Sequence, residues 1–201
     1  WRSGGFSHTC FVAEPVCDEM AHAAKRDPLA FRLQHLEQAP RYREVLQLAA
    51  AKANWGSPGA GRFQGIAVVE PFSSFCAAVV EVSVADGTYT VERVVNAVDC
   101  GVFVNPDIVT AQIESAVIYG LSAAMKSPIT IANGGVEQSN FHDAPVLRIN
   151  ESPIIETYIM PSDEEPTGIG EIGLPAVAPA LANALFAATG QRLRDLPLVL
   201  G

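Results

Sequence analysis

One carboxylate stands out by its neighbours. In Pro166-Thr167-Gly168-Ile169-Gly170-Glu171-Ile172-Gly173-Leu174-Pro175, three glycines surround Glu171 just ahead of an apolar segment that closes at Gly190. A helix that is apolar nearly all round has to be buried, and glycine lets another body come close to the backbone. The pattern can therefore deliver Glu171 into an interior cavity as a proton acceptor. Burial would raise its pKa and a helix N-terminus would lower it. The competing reading is a hydrogen-bonding acid in a tight turn.

Three further groups are candidates for chemistry. Asp99-Cys100-Gly101 precedes Asn105-Pro106 and a helix that carries Gln112 and Glu114. These two lie about 200° apart on a helical wheel, and the neutral amide is the easier of them to bury. Gln112 is thus either a buried hydrogen-bonding group or a solvated residue at the edge of the apolar face. Trp1-Arg2-Ser3-Gly4-Gly5-Phe6-Ser7-His8 combines an aromatic, a cation and paired glycines, a loop whose amides can form an anion-binding nest or simply connect. Ser139-Asn140-Phe141-His142-Asp143 invites a nucleophile, base and acid reading. It lacks the Gly-x-Ser-x-Gly elbow, and a working triad is assembled from separate segments. A local turn is the better expectation there, and Asp163-Glu164-Glu165 reads as a solvated acidic loop because calcium-loop spacing is missing.

The elements that must position these residues follow from periodicity and caps. Pro15 suits a first helical position and predicts a helix to Arg26 with Val16, Met20 and Ala24 on one stripe; Asp27 caps a second helix; a third spans about Tyr42 to Asn54, with Gly56 to Gly61 as its exit loop. Composition changes at Arg62. Ile66 to Val69 and Ala77 to Val84 read as strands, Asp86-Gly87 as a hairpin turn, and Thr88 to Val95 as the returning antiparallel strand. Asn105 opens a helix from Ile108 to Lys126 whose buried face is Ile113, Ala116, Val117, Leu121 and Ala124. A turn at Asn133-Gly134-Gly135, a strand from Ile154 to Ile159 and a last helix from near Pro179 to Gly190 complete the chain. Strands grouped between helices favour an α+β fold, with a helical N-terminal lobe over residues 1–61 and an α+β part over residues 62–201 containing an antiparallel β-meander and buried helices.

Composition narrows the function classes. The chain has 201 residues and a net charge of −9, which leaves no basic footprint for a nucleic-acid partner. Charged residues are 17%, below the roughly 25% of soluble domains, so more surface than usual is expected to be covered. Leu174 to Thr189 is too short and too interrupted to span a bilayer, so no membrane span is expected. Cys10, Cys17, Cys76 and Cys100 match neither a zinc knuckle nor an iron-sulfur run and read as buried small hydrophobes. The opening on Trp1, without a leader pattern, reads as the interior of a longer protein.

Taken together, these stretches resemble the molybdenum-binding large subunit of the xanthine dehydrogenase and aldehyde oxidase family, in particular the isoquinoline 1-oxidoreductase beta subunit group. The resemblance runs along essentially the whole chain. It is carried by Trp1-Arg2-Ser3, by Gln138-Ser139-Asn140-Phe141, and by Gly168 to Pro175 running into Ala178-Pro179-Ala180-Leu181-Ala182-Asn183-Ala184.

The resemblance implies that Glu171 is a catalytic base, taking a proton from a molybdenum-bound hydroxyl that attacks an electron-poor carbon while hydride passes to a sulfido ligand. It implies that Gln112 lies beside the molybdopterin, that Arg2, Ser3 and Gly4 form the loop near the metal's oxo ligand and the substrate, and that Gly170 borders the cofactor. It implies molybdopterin in the cytosine dinucleotide form, an iron-sulfur subunit that takes the electrons, and a small aldehyde or N-heteroaromatic substrate. Three positions depart from the family pattern: Ser115-Ala116 replace a frequent Gly-Gly pair, Gly4 replaces a larger residue, and Ala144 replaces a tyrosine. On this reading the chain is the C-terminal portion of such a subunit, acting with the rest of the large subunit. The rival expectations are a non-catalytic assembly module and a hydrolase using Ser139 and His142.

Overall fold

The computed structural model describes residues 1–201 and contains five α-helices: α1 (Phe6–Ala23), α2 (Pro28–His35), α3 (Pro40–Lys52), α4 (Pro106–Met125) and α5 (Val177–Thr189). Between α3 and α4, the β-branched runs fold as β1 (Arg62–Val69), β2 (Phe75–Ala85) and β3 (Thr88–Asp99) in an antiparallel meander. Asp86 and Gly87, at the β2–β3 turn, have φ of 51° and 73°, the left-handed pair that suits a two-residue hairpin. A small hairpin, β4 (Ile131–Ala132) and β5 (Gly135–Val136), leads to β6 (Ile154–Ile159), which joins the main sheet beside β3. β6 runs parallel to β3, so the sheet is mixed in the order β1-β2-β3-β6. A parallel partner needs a long crossover, and α4 with the hairpin supplies it.

The sheet is covered on both faces. Cys76, Ala78 and Val80 of β2 point into a core shared with α4 and α5, while Ala77 and Val79 point into a second core under α3. Burial on both sides explains why these strands read as unbroken apolar runs. The edge at β1 is closed by side chains: Glu14 of α1 accepts the Val68 amide (3.2 Å) and Asn183 of α5 donates to the Ile66 carbonyl (3.1 Å). Unpaired edge groups are otherwise sites of association.

Two helix expectations are corrected. α1 begins at Phe6, not Pro15, and Pro15 lies buried inside it. Val16, Met20 and Ala24, expected as the inward stripe, are exposed, and the buried side is Cys10, Pro15, Asp18 and Ala21. The helix turns this way because its acids face inward: Glu14 caps the sheet edge and binds Arg32 (2.9 Å), and Asp18 binds Arg192 (2.8 Å). α4, with a mean hydropathy of 1.3, is long and apolar enough by composition to cross a membrane, a property the sequence reading of Leu174 to Thr189 did not register. It packs as a core helix, with all five predicted inward residues fully buried.

The end of β3 is held by an ion pair that bears on the site. Arg41 grips Asp99 through both carboxylate oxygens (2.6 and 2.9 Å), and Asp99 also accepts the Gly101 amide (3.0 Å). Burial pushes the Asp99 carboxyl up, but Arg41, the Gly101 amide and Ser162 favour its ionised form more, and it titrates below the usual carboxylate range. Such a group contributes stability that is present above about pH 4 and lost as pH falls through its depressed folded value. Arg41→Met is therefore expected to destabilise the protein by about 2 kcal/mol at pH 7 and by clearly less at pH 3, measured by denaturant unfolding. An equal loss at both pH values would contradict this account of Asp99.

Candidate functional site

Arg2, Ser3, Gln112, Gly170 and Glu171, far apart in sequence, meet where the N-terminus of α1 crosses α4 and the turn before α5. α4 is fixed by its cap, where the Asn105 carboxamide accepts the amides of Asp107 (2.9 Å) and Ile108 (3.2 Å). With its apolar face inward, the helix presents Gln112 half-buried and Glu114 exposed. The guanidinium of Arg2 donates to Gln112 Oε1 (3.0 Å), to Ser115 Oγ (3.0 Å) and to the carbonyl of Gly170. It also lies 5.8 Å from the centre of the Tyr119 ring, one turn further along α4. Ser3 is fully buried, with a left-handed φ of 71°, and its hydroxyl donates to the carbonyl of Glu171 (2.5 Å).

The result is a division of labour within one turn. The backbone at Gly170 and Glu171 is pinned, by Arg2, by Ser3 and by the Leu174 amide (3.3 Å). The Glu171 carboxylate, half-buried, makes no hydrogen bond or ion pair with the chain, and Gln112 Nε2 likewise has no protein partner. Arg2 is turned to neutral oxygens and makes no contact with the Glu171 carboxylate.

The glycines of this turn differ in what surrounds them. A Cβ on Gly173 would stand 3.1 Å from both the Ala116 Cβ and the Ile113 Cδ1, and one on Gly168 would stand 3.1 Å from the Phe72 Cβ. At Gly170, as at Gly4, a Cβ would have no neighbour within 4 Å. Gly170 stands in open space, and the half-buried Glu171 carboxylate and Gln112 carboxamide are left free around the Arg2 guanidinium. Next to it, Trp1 and Tyr119 line a cavity of about 870 Å³ with Asn140, Phe141 and Ala144, so the Ala144 position opens onto the same side of α4.

Sequence reasoning missed Ser115 as a partner of Arg2, and it missed the β1–β2 loop, where Ser74 is bonded to Thr167 and Gly168. The departure at Ser115 was a visible signal; the Ser74 contacts span more than 90 residues and leave no local pattern. Asp99-Cys100-Gly101 has a supporting part: Gly101 (φ 72°) receives the Glu164 and Glu165 carbonyls where a Cβ would overlap them, and the Cys100 carbonyl accepts the Thr167 amide (2.9 Å). Asp143 caps the amides of Ser139 and Asn140 (3.0 and 2.9 Å) while His142 stays exposed, which makes that stretch a capped turn. All four cysteines are free thiols, three of them buried.

Residues 7–153 match the family described as molybdopterin cofactor-binding domain. The chain is 36% identical to the isoquinoline 1-oxidoreductase subunit beta of Brevundimonas diminuta, over 98% of this chain and 26% of that protein. It is 34% identical to a protein of Gluconacetobacter polyoxogenes named membrane-bound aldehyde dehydrogenase [pyrroloquinoline-quinone], over 98% of this chain and 28% of that one. The chain thus spans about a quarter of the length of these relatives. Among solved structures, the aldehyde oxidoreductase of Desulfovibrio gigas superposes with a TM-score of 0.76 over 98% of this chain and 40% of that one, at 14% identity, a likeness of fold.

The contrast between the glycines is testable on the protein itself. Gly173→Ala is expected to lower stability by about 1–3 kcal/mol through overpacking against α4, whereas Gly170→Ala should stay within about 0.5 kcal/mol of the parent, both read by thermal unfolding. Equal effects at the two positions would mean that Gly170 is not open.

Proposed function

Because this chain belongs to the molybdopterin cofactor-binding domain family of molybdenum hydroxylases, we propose that it forms part of an enzyme that hydroxylates an aldehyde or N-heteroaromatic carbon with oxygen from water. The overall change converts a C–H bond and one water into a C–OH group, releasing two electrons and two protons. When bound, the molybdenum cofactor, in its cytosine dinucleotide form, supplies the two-electron oxidation. The electrons leave through a separate iron-sulfur subunit; the name of the Brevundimonas relative, subunit beta, speaks only for a partner subunit of some kind. The rest of the large subunit completes the cofactor's surroundings.

Within this chain, Glu171 accepts a proton from the water-derived nucleophile at a carboxylate oxygen. The observation that carries this role is the pinned backbone under a free carboxylate: Arg2 and Ser3 hold the carbonyls of Gly170 and Glu171, and nothing neutralises the side chain. A base held in place needs little reorganisation in the transition state. Gln112 holds Arg2 through its Oε1 and keeps its Nε2 donors free of protein partners, available to the cofactor. Arg2, Ser3 and Gly4 shape the loop that borders the reacting groups, and Gly170 leaves room for the cofactor to approach the turn.

Glu171→Gln in the full-length protein is expected to keep molybdenum and pterin at the parental content while turnover falls by about 10²–10⁴. Isoquinoline, benzaldehyde and nicotinate, each with an electron-accepting dye, are suitable probes. Unchanged turnover would remove Glu171 from the mechanism, and a parent protein without molybdenum would remove the reading as a whole.

A further inference from the structure

The β1–β2 loop holds an unusual backbone conformation and sits against the Glu171 turn. Phe72 and Ser73 are consecutive non-glycine residues with φ of 56° and 61°. Side chains other than glycine rarely adopt this region, and strain of about 1–3 kcal/mol per residue persists only where the surroundings enforce it. Here the surroundings can be named. The Phe72 ring meets the Phe6 ring, at the start of α1, edge-on at 5.1 Å. Its Cβ lies against Gly168. Ser74, fully buried, donates to the Gly168 carbonyl and shares a second hydrogen bond with the Thr167 hydroxyl (2.6 Å). Since the Ser74 hydrogen goes to Gly168, Thr167 is the donor of that second bond.

This loop supports the Glu171 turn on its upstream side, in addition to the contact with α4 at Gly173. Arg2 and Ser3 hold Gly170 and Glu171 from one side, and Leu174 onward enters α5. Upstream, Gly168 is held by Ser74 and Phe72, and Thr167 is held by Ser74 and the Cys100 carbonyl. The same loop touches α1 through Phe6, four residues after Arg2. The strained turn therefore couples the two segments whose relative position sets where the carboxylate points.

We infer that Ser74 is a positioning residue for Glu171, holding the turn that carries the carboxylate through Thr167 and Gly168. The inference rests on the proposed role of Glu171 and deepens it. Ser74 itself faces Thr167 and Gly168, so it acts on the reaction through the carboxylate alone.

The test is a double-mutant cycle in the full-length, cofactor-loaded protein, with isoquinoline, benzaldehyde or nicotinate and an electron-accepting dye, read by steady-state and single-turnover rates. Ser74→Ala is expected to lower kcat by about 10- to 100-fold, as a small displacement of a catalytic group does, with KM changed less than threefold and molybdenum content unchanged. In the Glu171→Gln background, Ser74→Ala is expected to add no further loss. A loss of equal size in both backgrounds, or an unchanged kcat in the parent background, overturns the inference. Where Ser74→Ala loses molybdenum or fold, Thr167→Val and Thr167→Ser decide: the valine is expected to reproduce the loss of kcat and the serine to restore it, and equal rates for the two overturn the inference. The failure of the Glu171 role shows separately, as a Glu171→Gln protein with parental turnover.

Discussion

The guanidinium of Arg2 is where three segments with no sequence proximity are joined: the loop before α1, the outward stripe of α4 and the turn ahead of α5. Its donors reach Gln112, Ser115 and the Gly170 carbonyl. A planar fork can bind several acceptors in fixed relative directions, which a lysine ammonium cannot. Everything else near the site depends on bringing α1 to the place where this fork closes. Glu14 and Asp18 bind α1 to Arg32, Arg192 and the β1 edge, and Asn183 binds α5 to the same edge. The inward acids that make α1 look badly amphipathic are thus what aims its N-terminus.

The same logic explains the choice of partner at Gly170. An arginine set against Glu171 itself would have formed a buried ion pair, stabilising the charged carboxylate and removing it from proton transfer. Contact with a neutral carbonyl holds the turn without touching the charge. The β1–β2 loop works in the same way, with Ser74 on a carbonyl and a hydroxyl. Rigidity and reactivity are separated between backbone and side chain, the arrangement that catalytic pre-organisation requires.

Much of this was legible in the residues. The Asn105 cap, the α4 stripe, the Asp86-Gly87 turn and the Gly190 C-cap are local signals, and each acts within a few residues of where it is written. The signals that single out Glu171 and Gln112, flanking glycines and helical phase, are also local. α1 departs from its local pattern because Pro15 and the Val16–Met20 stripe carry propensity alone, while burial is decided by ion pairs to α2 and to the Arg192 segment. The parallel direction of β6 and the Ser74–Thr167 bond depend on segments that meet across roughly a third and nearly half of the chain, respectively. No pattern within a window can encode such a meeting.

The glycine-rich turn shows how a motif can be the sum of unlike constraints. Gly173 is crowded by α4, where Ala116 and Ile113 would stand 3.1 Å from an added side-chain carbon, and Gly168 is crowded in the same way by Phe72. Ala116, standing where relatives are expected to carry glycine, makes the demand on Gly173 stricter. Gly170 alone meets no neighbour from this chain. Contacts within the chain thus bear on the outer two glycines, while the central one, next to the free carboxylate, faces open space and is left open to a body from outside. In the proposed reading that body is the cofactor, and Arg2 secures the carbonyl of this residue so that the open side stays open.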